Sequence, residues 1–202
     1  MDNDYKDNEG TNEILEDASP APEGKMKGRK TTVREVVEYF ATIAVTVFFF
    51  TFIFALHRVP TESMYPTIKP GSIVVCTRVQ YLLGDPAPEY GDVVSFRSDE
   101  AGRILIKRVI GLPGDTISFE DGYLIRNGEK VEEPYLNEQG VTQRGNLGTY
   151  TVPEGCFFVL GDNRQHSADS RYMSNPYIPF GKIYAKMLFP INPFLIISAA
   201  HK

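Results

Sequence analysis

The chain has 202 residues, 42% of them hydrophobic and 12% aromatic, with two cysteines and a formal net charge of −5. That length accommodates one folded domain with appendages. The basic residues are too few and too scattered, without interleaved aromatics, to form a nucleic-acid surface, and Cys76 and Cys156 belong to no C-x-x-C or His-rich cluster that would hold a metal.

The acidity is local. Residues 1 to 24 carry eight carboxylates against Lys6, a charge of −7, which leaves +2 on the rest of the chain. Few large apolar residues accompany them, so this tail reads as disordered. A basic patch follows (Lys25, Lys27, Arg29, Lys30, Arg34), then an uncharged apolar run from Tyr39 to Leu56. Eighteen such residues, extended by Val36 and Val37, suit a membrane-spanning helix, which needs about 20 to cross a hydrocarbon core. The run is apolar on every face, unlike a core helix with a solvent side. Basic residues on its N-terminal flank place that end in the cytoplasm and everything from about Pro60 outside it. No small-x-small site follows, so the segment reads as an uncleaved anchor.

From Gly71 the pattern turns to short β-rich runs: Ser72 to Val79, Asp92 to Arg97, Arg103 to Ile110, Thr116 to Glu120, Tyr123 to Arg126, Thr149 to Val152, Phe157 to Leu160 and Lys182 to Leu188. Asp121-Gly122 and Asn127-Gly128 are hairpin dipeptides, and Pro113-Gly114-Asp115 marks another corner. The expectation is an all-β domain, sandwich or barrel, behind one N-terminal transmembrane helix. Its divisions are residues 1–35 as a cytoplasmic tail with its basic flank, 36–57 as the span, and 58–202 as an extracytoplasmic β-rich domain. The apolar stretch Pro193 to Ile197 is too short to cross a bilayer and reads as a last strand. Each cysteine lies in or beside an apolar run and reads as a small buried hydrophobe, and a disulfide stays open to an extracytoplasmic pair.

Three stretches carry chemistry. Prolines at 60 and 66 stiffen the octet Pro60-Thr61-Glu62-Ser63-Met64-Tyr65-Pro66-Thr67 into a non-helical loop that aims one hydroxyl, Ser63. A serine needs a base. His166 with Asp162 or Asp169 would make a histidine triad, and Glu62 is a neighbouring carboxylate. Lys107 is the other choice, because strand alternation puts it on a face with Leu105 and Val109, where desolvation lowers an amine's pKa. Arg108 falls on the opposite face, so the strand buries charge on both sides unless each charge is paired. The polar stretch Gly161 to Arg171 supplies partners: Asp162 for Arg108, Asp169 for Arg171, and the Ser167 hydroxyl to orient the Lys107 amine.

Taken together, Val59 to Thr67, Gly91-Asp92-Val93-Val94, Ile106 to Asp115 and Gly161 to Arg171, in this order behind an anchor, resemble type I signal peptidases of the single-anchor, Gram-positive form. The resemblance implies a membrane-bound serine endopeptidase that removes signal peptides from exported preproteins after small residues (Ala-X-Ala sites). Ser63 would be its nucleophile and Lys107 its general base, with the Ser63 backbone N–H and the Thr61 hydroxyl as oxyanion hole. Substrate would lie along Val59, Pro60, Met64, Leu105 and Ile106, with Val93 or Val94 as further wall residues. The capping domain of larger members would shrink to hairpins at about 116–155. No metal or cofactor is implied, and the expected partners are signal-peptide-bearing preproteins and the lipid bilayer, met as a monomer near the secretion translocon. Two other readings have their own signatures. A sortase-like transpeptidase would pair Cys156 with Arg164, and an anchored binding module would survive loss of either Ser63 or Cys156. A self-cleaving SOS-type repressor shares the dyad but needs an N-terminal DNA-binding helical unit.

Overall fold

The computed structural model describes residues 32–79 and 87–192. The acidic tail and the proposed last strand at 193–197 lie outside the described residues.

Helix α1 spans Val33–Ile53. Its start is a reciprocal capping box: the Glu35 N–H donates to Thr32 Oγ1 at 3.4 Å and the Thr32 N–H to Glu35 Oε2 at 3.0 Å. At 21 residues with a mean hydropathy of 2.0 in its most apolar window, and with no residue of it buried, α1 is long and apolar enough to cross a membrane. Its inner hydroxyls need no water, since Thr46 donates to the Thr42 carbonyl and Thr51 to that of Val47.

The helix stops four residues short of the expected end at 57. Phe54–Arg58 instead forms strand β1, paired antiparallel with β2 (Ile73–Thr77), and the Arg78 N–H caps the Ile53 carbonyl at 2.8 Å. No proline or glycine marks that switch; a sheet edge offers Phe54 to Arg58 backbone partners, and Ala55 a place in the core. Nine residues lie between Ile53 and Ser63, a reach of at most about 35 Å.

The remaining strands are β3 (Val93–Ser98), β4 (Arg103–Gly111), β5 (Thr116–Glu120), β6 (Tyr123–Arg126), β7 (Glu129–Lys130), β8 (Tyr150–Thr151), β9 (Cys156–Leu160), β10 (Tyr177–Pro179) and β11 (Ile183–Ile191). They make a seven-stranded sheet in the order β1-β2-β11-β3-β4-β9-β10 and a four-stranded sheet in the order β7-β6-β5-β8. The structure is thus mostly β-sheet with one N-terminal apolar helix, as the alternating runs indicate. Turn residues do the work the sequence assigns them: Asp121 and Gly122, then Asn127 and Gly128, all adopt positive φ in the hairpins that join β5 to β6 and β6 to β7.

Strand β4 is central. Val94 stands opposite Lys107 and Val93 opposite Arg108 on β3, while Leu160 of β9 stands opposite Arg108 on the other side. One core cluster contains Val59, Met64, Ile68, Val74, Cys76 and Ile106, and a second contains Val94, Phe96, Val109 and Val159. A third joins the small sheet to β9 through Ile117, Leu124, Tyr150 and Phe158. Cys76 is buried and free, with burial pushing its thiol up to about 11; Cys156 is free and half-buried.

Candidate active site

Two apolar side chains moor the loop between β1 and β2. Met64 and Ile68 are both fully buried in the first cluster, flanking the turn. Backbone bonds close it: the Tyr65 N–H donates to the Glu62 carbonyl at 2.9 Å and the Ile68 N–H to that of Met64 at 2.8 Å, and the Tyr65-Pro66 peptide is cis. From the other side the Asn163 N–H donates to the Ser63 carbonyl at 3.1 Å. Gly161 packs directly under this contact, where a Cβ would overlap the Ser63 carbonyl oxygen and Ser167.

Held in this way, Ser63 meets Lys107. The Lys107 Nζ donates to Ser63 Oγ at 2.9 Å and to the Ile106 carbonyl at 3.0 Å. Lys107 is only 3% exposed and Ser63 8%. Burial pulls the lysine amine down to about 8; Asp169 and Asp162 oppose this and Arg103 adds to it. The Thr61 hydroxyl lies 3.3 Å from Ser63 Oγ. A small cleft of about 50 Å³ opens beside the pair, lined by Arg58, Val59, Pro60 and Thr61 from the segment that leads to Ser63 and by Arg103 to Lys107 from β4.

The polar stretch after β9 forms a buried, charge-paired support. Asp162 receives both the Arg108 Nε at 2.8 Å and Nη2 at 2.5 Å, together with the Thr67 hydroxyl at 2.5 Å. Asp169 receives the Arg171 Nε and Nη2, each at 2.8 Å, and the Gly161 N–H at 3.0 Å. These forks satisfy both oxygens of each carboxylate, the condition under which buried ion pairs hold a geometry.

Residues 33–192 fit the family model described as signal peptidase, peptidase S26. The chain belongs to this family. Signal peptidase I from Bacillus licheniformis is 37% identical over 157 residues, covering 74% of this chain and 83% of the relative. Signal peptidase IB from Staphylococcus aureus (strain COL) is 35% identical over 180 residues, covering 80% and 92%. A crystal structure of a signal peptidase I from Enterococcus faecalis V583 is 31% identical, with a TM-score of 0.43, covering 52% of this chain and all of the other. The chain is therefore a hydrolase of the signal peptidase I type, a membrane-associated serine protease that cleaves signal peptides.

Within this signal peptidase, most of the residues singled out by sequence come together; Ser167 and Met64 depart from their expected roles, and neither Val93 nor Val94, both buried in the core, is among the residues lining the cleft. Ser167 is buried, but its hydroxyl has no hydrogen-bond partner among the described residues, and the Lys107 amine is held by Ser63 and the Ile106 carbonyl instead. Met64 lies outside the residues lining the cleft, because its side chain is wholly consumed by the core that moors the loop; Val59, Pro60, Leu105 and Ile106 do line it. The histidine alternative lacks both of its expected aspartates. His166 is exposed and its Nδ1 lies 3.6 Å from Glu62, itself exposed, while Asp162 and Asp169 are taken by arginines. Cys156 sits on β9 opposite Pro179, and the Arg164 guanidinium is spent on Glu133.

Sequence reasoning missed that last pair. Arg164 donates to Glu133 at 2.8 and 2.5 Å and to Thr142 at 2.9 Å, with both charged side chains at most 2% exposed. Tyr135 belongs to the same group. Its hydroxyl donates to Glu133 at 2.6 Å and its ring lies 4.0 Å beneath the Arg108 guanidinium. The only sequence signal was a pair of adjacent carboxylates in Val131-Glu132-Glu133-Pro134, indistinguishable from a solvated turn.

Proposed function

We propose that Ser63 and Lys107 form a Ser/Lys dyad that cleaves preproteins after small residues. The observation that carries this is the 2.9 Å contact between a buried serine hydroxyl and a buried lysine whose amine titrates at about 8. A neutral Lys107 accepts the Ser63 proton as Oγ attacks the scissile carbonyl. The oxyanion forms against the Ser63 backbone N–H and the Thr61 hydroxyl. The lysine then gives its proton to the leaving amine. Water, deprotonated by Lys107, next hydrolyses the Ser63 ester. The cleft's small free volume supports a small side chain at the cleaved position. Arg108, Asp162, Asp169 and Arg171 act by positioning, holding the loop from which Asn163 grips Ser63.

The membrane reading belongs to the same proposal. Helix α1 crosses the bilayer with its basic flank in the cytoplasm, and the β-rich part works as a monomer outside it, with the small sheet at 116–151 as a reduced cap. The test is cleavage of a signal-peptide-bearing precursor by wild type, Ser63→Ala and Lys107→Ala, with the cut site sequenced. Full activity in either variant overturns the dyad.

Two further results are expected. Because only the neutral amine accepts a proton, kcat/KM should rise with pH through a midpoint near 8 and level off above it. A rate already flat between pH 6 and pH 9 would remove Lys107 from the base role. Thr61→Val deletes one oxyanion donor while keeping the β-branched shape, and should lower kcat by about 10²–10³ with little change in KM.

A further inference from the structure

We propose that Arg58 and Arg103 form a carboxylate-selecting subsite at the far end of the cleft, favouring an acidic side chain four to five residues upstream of the scissile bond. This rests on the reading that the substrate lies extended along the cleft and ends at Ser63. Both arginines line the cleft that opens beside Ser63 and Lys107. One segment runs from Arg58 to Ser63 and the other from Arg103 to Lys107, so both approach the dyad in the same chain direction. Arg103 precedes Lys107 by four strand residues, about 13 Å at the rise of an extended chain. Arg58 precedes Ser63 by five. The pair therefore flanks the substrate residues four and five positions before the cut.

Both arginines are exposed, and neither has a hydrogen bond or ion pair among the described residues. The nearby acids point elsewhere. Asp99 and Glu100, in the turn between β3 and β4, are engaged by Lys182 and by Ser174, respectively. Glu62, in the loop that carries Ser63, faces His166. Two unneutralised guanidinium groups thus border the same cleft. Guanidinium is the side chain best shaped to take a carboxylate in a two-pronged bond.

The test uses the full chain in neutral detergent micelles and a precursor series bearing Asp, Ala or Lys at both positions. Each rate is normalised to the Ala precursor of the same enzyme, so that changes in overall activity cancel. Exposed pairs each change affinity by a few-fold, so wild type should cleave the Asp precursor with a kcat/KM about 10-fold above that of the Lys precursor at low salt. The effect should sit in KM and shrink in high salt. The double variant Arg58→Glu, Arg103→Glu should reverse the order. A wild-type ratio near 1, or the same ratio in the double variant, overturns the subsite. Cleavage of the Ala precursor by wild type but not by Ser63→Ala keeps the underlying dyad reading standing in that event. Cleavage by Ser63→Ala at the same bond would instead sink the dyad itself.

Discussion

Lys107→Met is expected to lower kcat for precursor cleavage by about 10³–10⁴ and, at neutral pH, to make the fold more stable. The first effect follows from removing the proposed base, the only titratable side chain among the described residues that is hydrogen-bonded to Ser63 Oγ; His166 is exposed and turned to Glu62. The second follows from the same burial that makes the base. An amine drawn from 10.5 to about 8 is charged in the folded state below that pH only at a cost, on the order of 3 kcal/mol. Methionine fills a similar volume with no charge to desolvate, though it forgoes two hydrogen bonds, so the net gain below pH 8 should be about 1–3 kcal/mol. The sign can be checked by titration. Between about 8 and 10.5 the unfolded chain holds the Lys107 proton and the folded one does not, so wild-type stability climbs with pH across that window. The gap to Lys107→Met should close over the same range, as read by chemical denaturation at pH 7, 9 and 10.5. A variant less stable than wild type at pH 7 would mean that the lysine is structural, not strained into place for catalysis.

Glu133→Ala should be among the most damaging substitutions outside the dyad. It strands Arg164, whose side chain has no solvent exposure, with only Thr142 and the Gly161 carbonyl as partners. Breaking one side of such a pair costs about 3–5 kcal/mol. For a chain of this size that is a fall in Tm of about 6–20 °C. Replacing both partners by apolar residues (Glu133→Leu with Arg164→Met) should recover most of the loss, since no uncompensated charge remains. A drop of less than 3 °C in the single variant would show that the guanidinium finds water. Activity should fall together with stability, because the Arg164 carbonyl also receives Arg171, and the loop that carries both reaches Ser63 through Asn163.

The chemistry of this enzyme was legible because it uses residues that local composition makes conspicuous. A serine between two prolines, a lysine on an apolar strand face and a dense polar run after a buried strand stand out without any contact map. The pairings Arg108 with Asp162 and Arg171 with Asp169 could be named because a charge on a buried strand needs a partner and the dense polar stretch after β9 supplies few. Ser167 and Met64 went otherwise for a reason no sequence pattern carries. Which of two nearby acceptors a lysine takes, and whether a side chain beside a nucleophile faces the cleft or the core, depend on offsets of an ångström or two.

What the sequence determined by itself was an apolar helix of membrane length, β-rich alternation behind it, and hairpins at Asp121-Gly122 and Asn127-Gly128, all set by local period and turn chemistry; Ser63 and Lys107 stood out only as the candidates for the proposed dyad. Only the tertiary structure decided where the helix ends, because Phe54 to Arg58 has no breaker and becomes a strand only once β2 offers its edge. It also decided that Glu133, thirty-one residues before Arg164, closes the support behind the site. A buried charge has to find a partner, but nothing local to either residue says which one.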